Sequence, residues 1–66
     1  MKLYFYDGPV KSFGKIVSEK WHGETRAISE SKARTNLEFQ YKKYRGLVPK
    51  AKVELPGKII FIQEVE

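Results

Sequence analysis

The sequence predicts an α+β domain in which one helix packs on one face of a mainly antiparallel sheet. Only one segment, Ser29–Gly46, has both the residue spacing and the end signals of a helix. Short segments in which apolar and polar residues alternate, the pattern typical of strands, precede and follow it. We therefore expect the order β-β-β-α-β-β, with a sheet of four to five strands, in a single domain of residues 1–66.

The predicted helix has consistent signals at both ends. Ser29 can cap its first turn through the side-chain hydroxyl, and Gly46 can adopt the left-handed conformation that ends many helices. Glu30 in the first turn and the cations of the last turn suit the helix dipole. At about 100° per residue, one stripe of the helix faces the sheet. It consists of Ala33, Leu37, Tyr41 and Tyr44, flanked by Asn36 and Gln40.

The remaining elements are predicted from alternation and from turn residues. The five predicted strands are Lys2–Tyr6, Lys11–Val17, Glu24–Ile28, Ala51–Leu55 and Lys58–Val65. Asp7–Pro9 and Ser18–Gly23 are predicted to separate the first three. The last strand is the most hydrophobic, and we expect it to be central in the sheet.

The alternation also predicts the core. The expected core residues are Leu3, Phe5, Phe13, Ile16, Ile28, Ala33, Leu37, Tyr41, Tyr44, Val53, Leu55, Ile59 and Phe61. Tyr4 and Tyr6 would then lie on the opposite face of the sheet, as an aromatic surface. A shift of one residue would reverse the face of a strand.

Composition limits the class of protein. The chain of 66 residues has no cysteine, which excludes a disulfide-stapled secreted domain and a thiolate metal site. No apolar run approaches the roughly 20 residues that span a bilayer, and the N-terminus has no signal-peptide pattern, so we expect a cytoplasmic protein without membrane contact. The net charge of +5 permits a nucleic-acid partner, although solubility alone accounts for such a charge.

No residue pattern indicates catalysis, a metal or another cofactor. His22 is the only histidine, and we expect it to be exposed in a turn near Glu19 and Glu24. Nucleophilic catalysis needs a base beside the nucleophile, and a zinc site needs more ligands than this region offers. The five glycines are dispersed, so no phosphate-binding loop is predicted. We therefore expect a protein that is not an enzyme.

Basic residues interleaved with tyrosines are the clearest binding signal. The segment Tyr41–Lys52 carries five cations and no acid, a pattern that can neutralise phosphates but that also suits a helix C-terminus. Trp21, expected at a turn tip, could anchor a partner or fold back over the sheet edge. The candidate residues for nucleic-acid or partner binding are Trp21, Lys32, Arg34, Lys42, Lys43, Arg45, Lys50 and Lys52.

Nearly the whole chain resembles a family of small uncharacterised proteins from prophages and mobile elements of Gram-positive bacteria. The residues that carry this resemblance are Lys32–Leu37, Gln40–Lys43 and Leu55–Lys58. The family has no assigned activity, so the resemblance implies a phage-type origin and makes Asn36 and Gln40 part of the family pattern. At the level of organisation only, three predicted strands followed by a helix resemble the arm-binding domain of tyrosine integrases, which binds DNA. The two strands predicted after the helix depart from that pattern.

Two functions follow as hypotheses. The favoured one is an accessory protein-interaction module, which binds an unknown protein or forms a homodimer through a sheet edge or the tyrosine-bearing face. The alternative is a protein that binds DNA or RNA through the basic helix and the loop after it, with affinity that falls as salt rises.

Overall fold

Two long strands, one helix and a short third strand make up the computed structural model, which describes residues 1–65. The strands are β1 (Lys2–Ser12), β2 (Lys15–Ala27) and β3 (Ile60–Glu64), and the helix is α1 (Glu30–Arg45). The strands form an antiparallel sheet in the order β2-β1-β3. The predicted α+β class with a single helix is confirmed.

The number and the order of strands differ from the prediction, because two predicted turns are not turns. Asp7–Pro9 lies inside β1, where it shifts the register with β2 between Gly8 and Val10 without ending the strand. Ser18–Gly23 likewise lies inside β2. The sheet therefore has three strands, and only two of them precede the helix.

The other predicted strands are also redistributed. Lys11–Val17 contains the turn of the β1–β2 hairpin, and Glu24–Ile28 mostly forms the end of β2. Ala51–Leu55 makes a single bridge, between Glu54 and Lys11, and is otherwise irregular. β3 lies at an edge of the sheet, and the expectation of a central strand is wrong.

The β1–β2 hairpin turns through two residues that both have positive φ. Phe13 has φ 53° and Gly14 has φ 78°, between the paired residues Ser12 and Lys15. Positive φ at both positions is the pattern of a type I′ turn, which favours Asn-Gly and strains a bulky side chain. Phe13 is nevertheless 77% exposed, so no burial of its ring offsets this strain.

Replacing Phe13 with asparagine should raise the free energy of unfolding by about 1 kcal/mol, since asparagine tolerates the left-handed region. Urea denaturation of the Phe13→Asn variant measures this change. Phe39→Asn is the matched control, because Phe39 is exposed on a helix and its replacement relieves no turn strain. Equal or lower stability of Phe13→Asn would contradict the assignment of strain to this turn.

The helix begins and ends as predicted. The Ser29 side chain accepts a hydrogen bond from the backbone N–H of Lys32, and Gly46 has φ 69°. Beyond Gly46, the backbone N–H of Leu47 donates to the carbonyl of Lys42 at 2.8 Å. These bonds satisfy groups that a helix end leaves unpaired.

The core lies between α1 and one face of the sheet and is closed by the segment 46–59. Its buried side chains are Tyr4, Tyr6, Val10, Ala27, Ala33, Leu37, Tyr41, Val53, Leu55 and Ile59. Six predicted core residues are confirmed: Ala33, Leu37, Tyr41, Val53, Leu55 and Ile59. Five others are exposed: Phe13, Ile16, Ile28, Tyr44 and Phe61.

β1 presents the opposite face from the one predicted. Tyr4 and Tyr6 are buried under the helix, whereas Leu3 and Phe5 are half-buried on the other face. Both pairs of residues are apolar enough for a core, so alternation along β1 alone does not decide which pair faces the helix. The fully buried Tyr6 hydroxyl donates to the carbonyl of Pro9 at 2.6 Å and accepts from the N–H of Gly57 at 3.1 Å. These two bonds satisfy the hydroxyl within the core.

Candidate interaction surface

The two edges of the sheet have different surroundings. A strand at an edge leaves a row of backbone N–H and C=O groups without strand partners, and such a row can pair with another chain. In the order β2-β1-β3, both β2 and β3 are edge strands. Helix side chains occupy two backbone carbonyls near the C-terminal end of the first of these edges, whereas the second is open along its length.

Two amide side chains of α1 bond to the edge of β2 near its C-terminal end. The Gln40 Nε2 donates to the carbonyl of Glu24 at 3.0 Å. The Asn36 Nδ2 lies 3.4 Å from the carbonyl of Arg26 and donates to it and to the Thr25 hydroxyl. These bonds occupy carbonyls that would otherwise be available to an added strand. Asn36 and Gln40, which flank the stripe predicted to face the sheet, therefore serve the fold.

The edge of β3 is exposed at every residue. No described strand pairs with its outer side, and all five residues of Ile60–Glu64 are exposed. Its first three residues are Ile60, Phe61 and Ile62, and neither proline nor a charged residue interrupts them. Protected edge strands usually carry such interruptions. β3 has one protective feature, a register shift beside its pairing with Leu3 and Tyr4.

The sheet face opposite the helix, here called the open face, is apolar next to the β3 edge. Phe5 pairs directly with Ile60, and paired residues of neighbouring strands share a face. Leu3 belongs to the same face as Phe5 and pairs with Gln63, so the apolar surface also includes one polar side chain of β3. On the β2 side, the paired positions of this face carry charged or polar residues: His22, Glu24 and Arg26. A partner added at β3 would therefore meet the apolar half.

Phe61 adds an aromatic ring on the helix side of the same edge. It pairs with Tyr4, and the two rings meet edge to face with centroids 5.8 Å apart. The side chain is still 53% exposed. The β3 edge thus combines unpaired backbone with apolar side chains on both of its faces.

Trp21 folds back over the core. It lies within β2, where the sequence had suggested a turn tip, and its ring is half-buried. The centroid of its ring system is 5.4 Å from that of Tyr41, in an edge-to-face arrangement, and 6.4 Å from that of Tyr6. Of the two alternatives for Trp21, the structure therefore shows the one in which the ring packs against its own domain.

Two of the cations predicted to contact a partner instead hold the segment 46–59 to the helix. The guanidinium group of Arg34 donates to the carbonyls of Leu55 and Gly57. The Lys42 ammonium donates to the carbonyl of Pro49 at 2.9 Å. This segment has little regular structure, so its carbonyls need such donors. Both side chains have a structural role that the sequence did not reveal.

The remaining predicted cations are exposed at two separate places. Lys32 lies in the first turn of α1. The others are near or beyond its last turn: Lys43, Arg45, Lys50 and Lys52. The helical rise of about 1.5 Å per residue separates Lys32 from Lys43 by roughly 16 Å along the axis. The structure therefore brings Lys43 and Arg45 together at one end of the helix and leaves Lys32 apart.

One carboxyl group has a shifted pKa. Burial raises the pKa of Glu38, and the nearby Glu54 raises it further, whereas Arg34 and Lys42 oppose the rise. Glu38 lies on α1 between those two cations, on the side that holds the segment 46–59. The shift is thus a consequence of packing this segment against the helix.

His22 is exposed in β2, where it pairs with Asp7, and the expectation of a turn position is wrong. Within residues 1–65, no three histidine or carboxylate side chains gather in a way that could hold a metal ion.

α1 is neither long nor apolar enough to cross a membrane, and no other helix is present in that part of the chain.

The residues of the β3 edge and of the open face were missed as a candidate site. The continuous apolar run in Lys58–Val65 is typical of a central strand, and alternation in β1 favours Leu3 and Phe5 as core residues. The useful signal is the pair Asn36 and Gln40, whose side chains bond to two carbonyls of the β2 edge. Comparison with protein-family models, curated proteins and solved structures finds no match to this chain.

Proposed function

We propose that this protein is a non-enzymatic interaction module that binds another polypeptide by extending its sheet at β3. The difference between the two sheet edges carries the proposal. Helix amides occupy carbonyls of the β2 edge, whereas the β3 edge is open and apolar. Binding by strand addition takes affinity from backbone hydrogen bonds and specificity from alternate side chains.

The location of the apolar surface supports the same mode of binding. Leu3, Phe5 and Ile60 lie next to the open edge, so an added strand could place apolar side chains against them. The tyrosine-bearing face, the other surface considered from the sequence, is in the core. We further propose a cytoplasmic accessory protein of phage type, which rests on the family resemblance and on the absence of cysteine.

A lysine on the β3 edge should weaken this binding, because edge charges oppose strand pairing. The test is selection from a displayed library of short random peptides on the immobilised protein at high salt. Peptides that bind the native protein should lose affinity for Ile62→Lys by at least roughly tenfold. Ile28→Lys is the control, since Ile28 is exposed outside the three strands.

Hydrogen exchange shows where a selected peptide binds. Protection of backbone amides in β3 on peptide binding supports sheet extension. Peptides that bind Ile62→Lys as tightly as the native protein, or that protect α1 instead, would refute it. A selection that yields no specific peptide would also count against it.

Nucleic-acid binding is the second candidate function. Lys43, Arg45 and Lys50 are exposed near one end of the helix, and no acid occurs from Lys42 to Lys52. Fluorescence anisotropy with mixed-sequence DNA and RNA duplexes tests it. The logarithm of affinity should fall with that of salt by roughly 0.9 per DNA phosphate contacted. Absence of binding at low salt would remove this candidate.

A further inference from the structure

The excess of positive charge is concentrated in two stretches of the chain, residues 10–20 and 41–54. They hold eight of the thirteen lysines and arginines but two of the eight acids, so the remaining residues carry five cations and six acids. The whole net charge of +5 therefore comes from these two stretches, which together are called the basic end.

Hydrogen bonds bring the two stretches together at the turn of the β1–β2 hairpin. α1 bonds to the last part of β2 through Asn36 and to Ser18, which is much nearer the turn, through Tyr41. The helix therefore runs back along β2 and ends toward the hairpin turn. Beyond the helix, the carbonyl of Lys52 accepts a hydrogen bond at 2.6 Å from the hydroxyl of Ser12, next to the turn. Both stretches thus lie at the same end of the fold.

Two aromatic rings of the basic end are exposed among its cations. Phe13 and Tyr44 have the most exposed aromatic side chains in the chain. A lysine lies two residues to each side of Phe13, and Tyr44 lies directly between Lys43 and Arg45. Exposed rings stack on unpaired bases, while neighbouring cations contact the phosphates. The basic end thus offers both of the contacts that hold a single strand of nucleic acid.

The backbone of Phe13 indicates that its ring has a role outside the fold. The residue has φ 53° in a turn that asparagine or glycine would suit better, and its ring is exposed. Backbone strain is concentrated at ligand-binding and other functional sites. Since burial does not offset the strain, contact of the ring with a ligand gives the phenylalanine a reason to be there.

We infer that the basic end binds single-stranded nucleic acid, with bases stacked on Phe13 and Tyr44 and phosphates contacted by exposed cations. The inference rests on the second candidate function and specifies its ligand. It also adds the hairpin turn to the helix end as a binding surface. The cations assigned to this role are exposed: Lys15, Lys43, Arg45, Lys50 and Lys52.

Other polyanions fit these observations less well. In an intact duplex the bases stack on one another, so they offer the two rings no free face. An anionic membrane would attract the same cations, but binding at its interface needs a continuous apolar face. Along this chain each ring instead has cations on both sides. A single strand uses the rings and the cations together.

Fluorescence anisotropy of labelled oligothymidylate, titrated with the whole chain, tests the inference. The oligonucleotide has roughly 12 nucleotides, a length within the range of single-strand binding sites. At low salt it should bind at least roughly tenfold more tightly than a mixed-sequence duplex of the same length. The logarithm of its affinity should fall with that of salt by roughly 0.7 per phosphate contacted.

Substitutions of the two rings separate binding from folding. Phe13→Asn should weaken oligothymidylate binding roughly tenfold, although it relieves the strain of the turn, so the loss does not come from unfolding. Phe39→Asn is the control and should retain the affinity, because it removes an exposed ring outside the basic end. Tyr44→Leu should weaken binding likewise, whereas Tyr44→Phe keeps the ring and should retain the affinity.

The outcomes distinguish this inference from the candidate function on which it rests. Equal affinities for the single strand and the duplex, or full binding by Phe13→Asn, would overturn the inference. Loss of binding in Lys43→Glu would then still support nucleic-acid binding through the helix end. Absence of binding to either oligonucleotide at low salt would remove both. Binding to vesicles of anionic phospholipid but to no oligonucleotide would also overturn the inference and assign the basic end to a membrane surface.

Discussion

Substitution of Tyr6 by phenylalanine is expected to lower the free energy of unfolding by about 2 kcal/mol. The hydroxyl is fully buried and joins two parts of the fold, because it donates to Pro9 in β1 and accepts from Gly57 in the segment 46–59. Its removal breaks both bonds and leaves the N–H of Gly57 without its partner. A single bond contributes about 1 kcal/mol net, and an unsatisfied buried group costs more.

Urea denaturation of Tyr6→Phe and Tyr44→Phe provides the comparison. Tyr44 is 70% exposed, so loss of its hydroxyl should change stability by less than about 0.5 kcal/mol. Gly57→Ala gives an independent check, because a Cβ at Gly57 would lie 3.0 Å from the Tyr6 hydroxyl oxygen. If the two tyrosine variants were equally stable, the Tyr6 hydroxyl would not tie β1 to the segment 46–59.

Replacement of Arg34 by methionine should also cost about 2 kcal/mol. The guanidinium group bonds two carbonyls of the segment 46–59, those of Leu55 and Gly57, and bonds with a charged donor are stronger than neutral ones. Methionine retains much of the aliphatic length but donates no hydrogen bond. Arg34→Lys should recover only part of the loss, because an ammonium lacks the planar fork of the guanidinium group.

The control for Arg34 is Lys32→Met, since Lys32 is exposed in the first turn of the same helix. It should leave stability within about 0.5 kcal/mol of the native chain. Hydrogen exchange adds a local measurement: Arg34→Met should accelerate exchange in the segment 46–59 more than in the β1–β2 hairpin. If the two methionine variants changed stability and exchange equally, Arg34 would not hold the segment 46–59, and its side chain would count among the cations free to bind a partner.

Local signals in the sequence predicted the helix well, because each of its boundaries depends on neighbouring residues. The Ser29 cap, the Gly46 end and three of the four predicted stripe residues are as expected; the fourth, Tyr44, is exposed on the last turn. The α+β class followed from the same helix and from the alternating segments around it.

The strands were harder to predict, because their ends and faces depend on distant contacts. Asp7–Pro9 has the residue pattern of a strand end, but Gly8 and Pro9 form an irregularity that β1 tolerates within its pairing with β2. The face of β1 was undecided in the sequence, since Leu3 and Phe5 are as apolar as Tyr4 and Tyr6. A bond from Gly57, far along the chain, satisfies Tyr6 in the core.

The candidate site was predicted only in part, for a related reason. A lysine or arginine beside a helix end has the same sequence pattern whether it contacts phosphate or a carbonyl of its own chain. Arg34 and Lys42 contact such carbonyls, whereas Lys43 is exposed. The β3 edge was missed because an apolar run does not indicate how many neighbours its strand has.

The pairing of β1 with β3 also determines the order in which the fold can be completed. β2 follows β1 after a two-residue turn, so their ladder closes locally, whereas Lys2 pairs with Glu64 across almost the whole chain. Contacts between such distant residues carry a larger loop-closure cost and form slowly. During synthesis, the hairpin and the helix can therefore assemble while one side of β1 is still vacant. β3 can occupy that vacancy only after every other element has emerged from the ribosome.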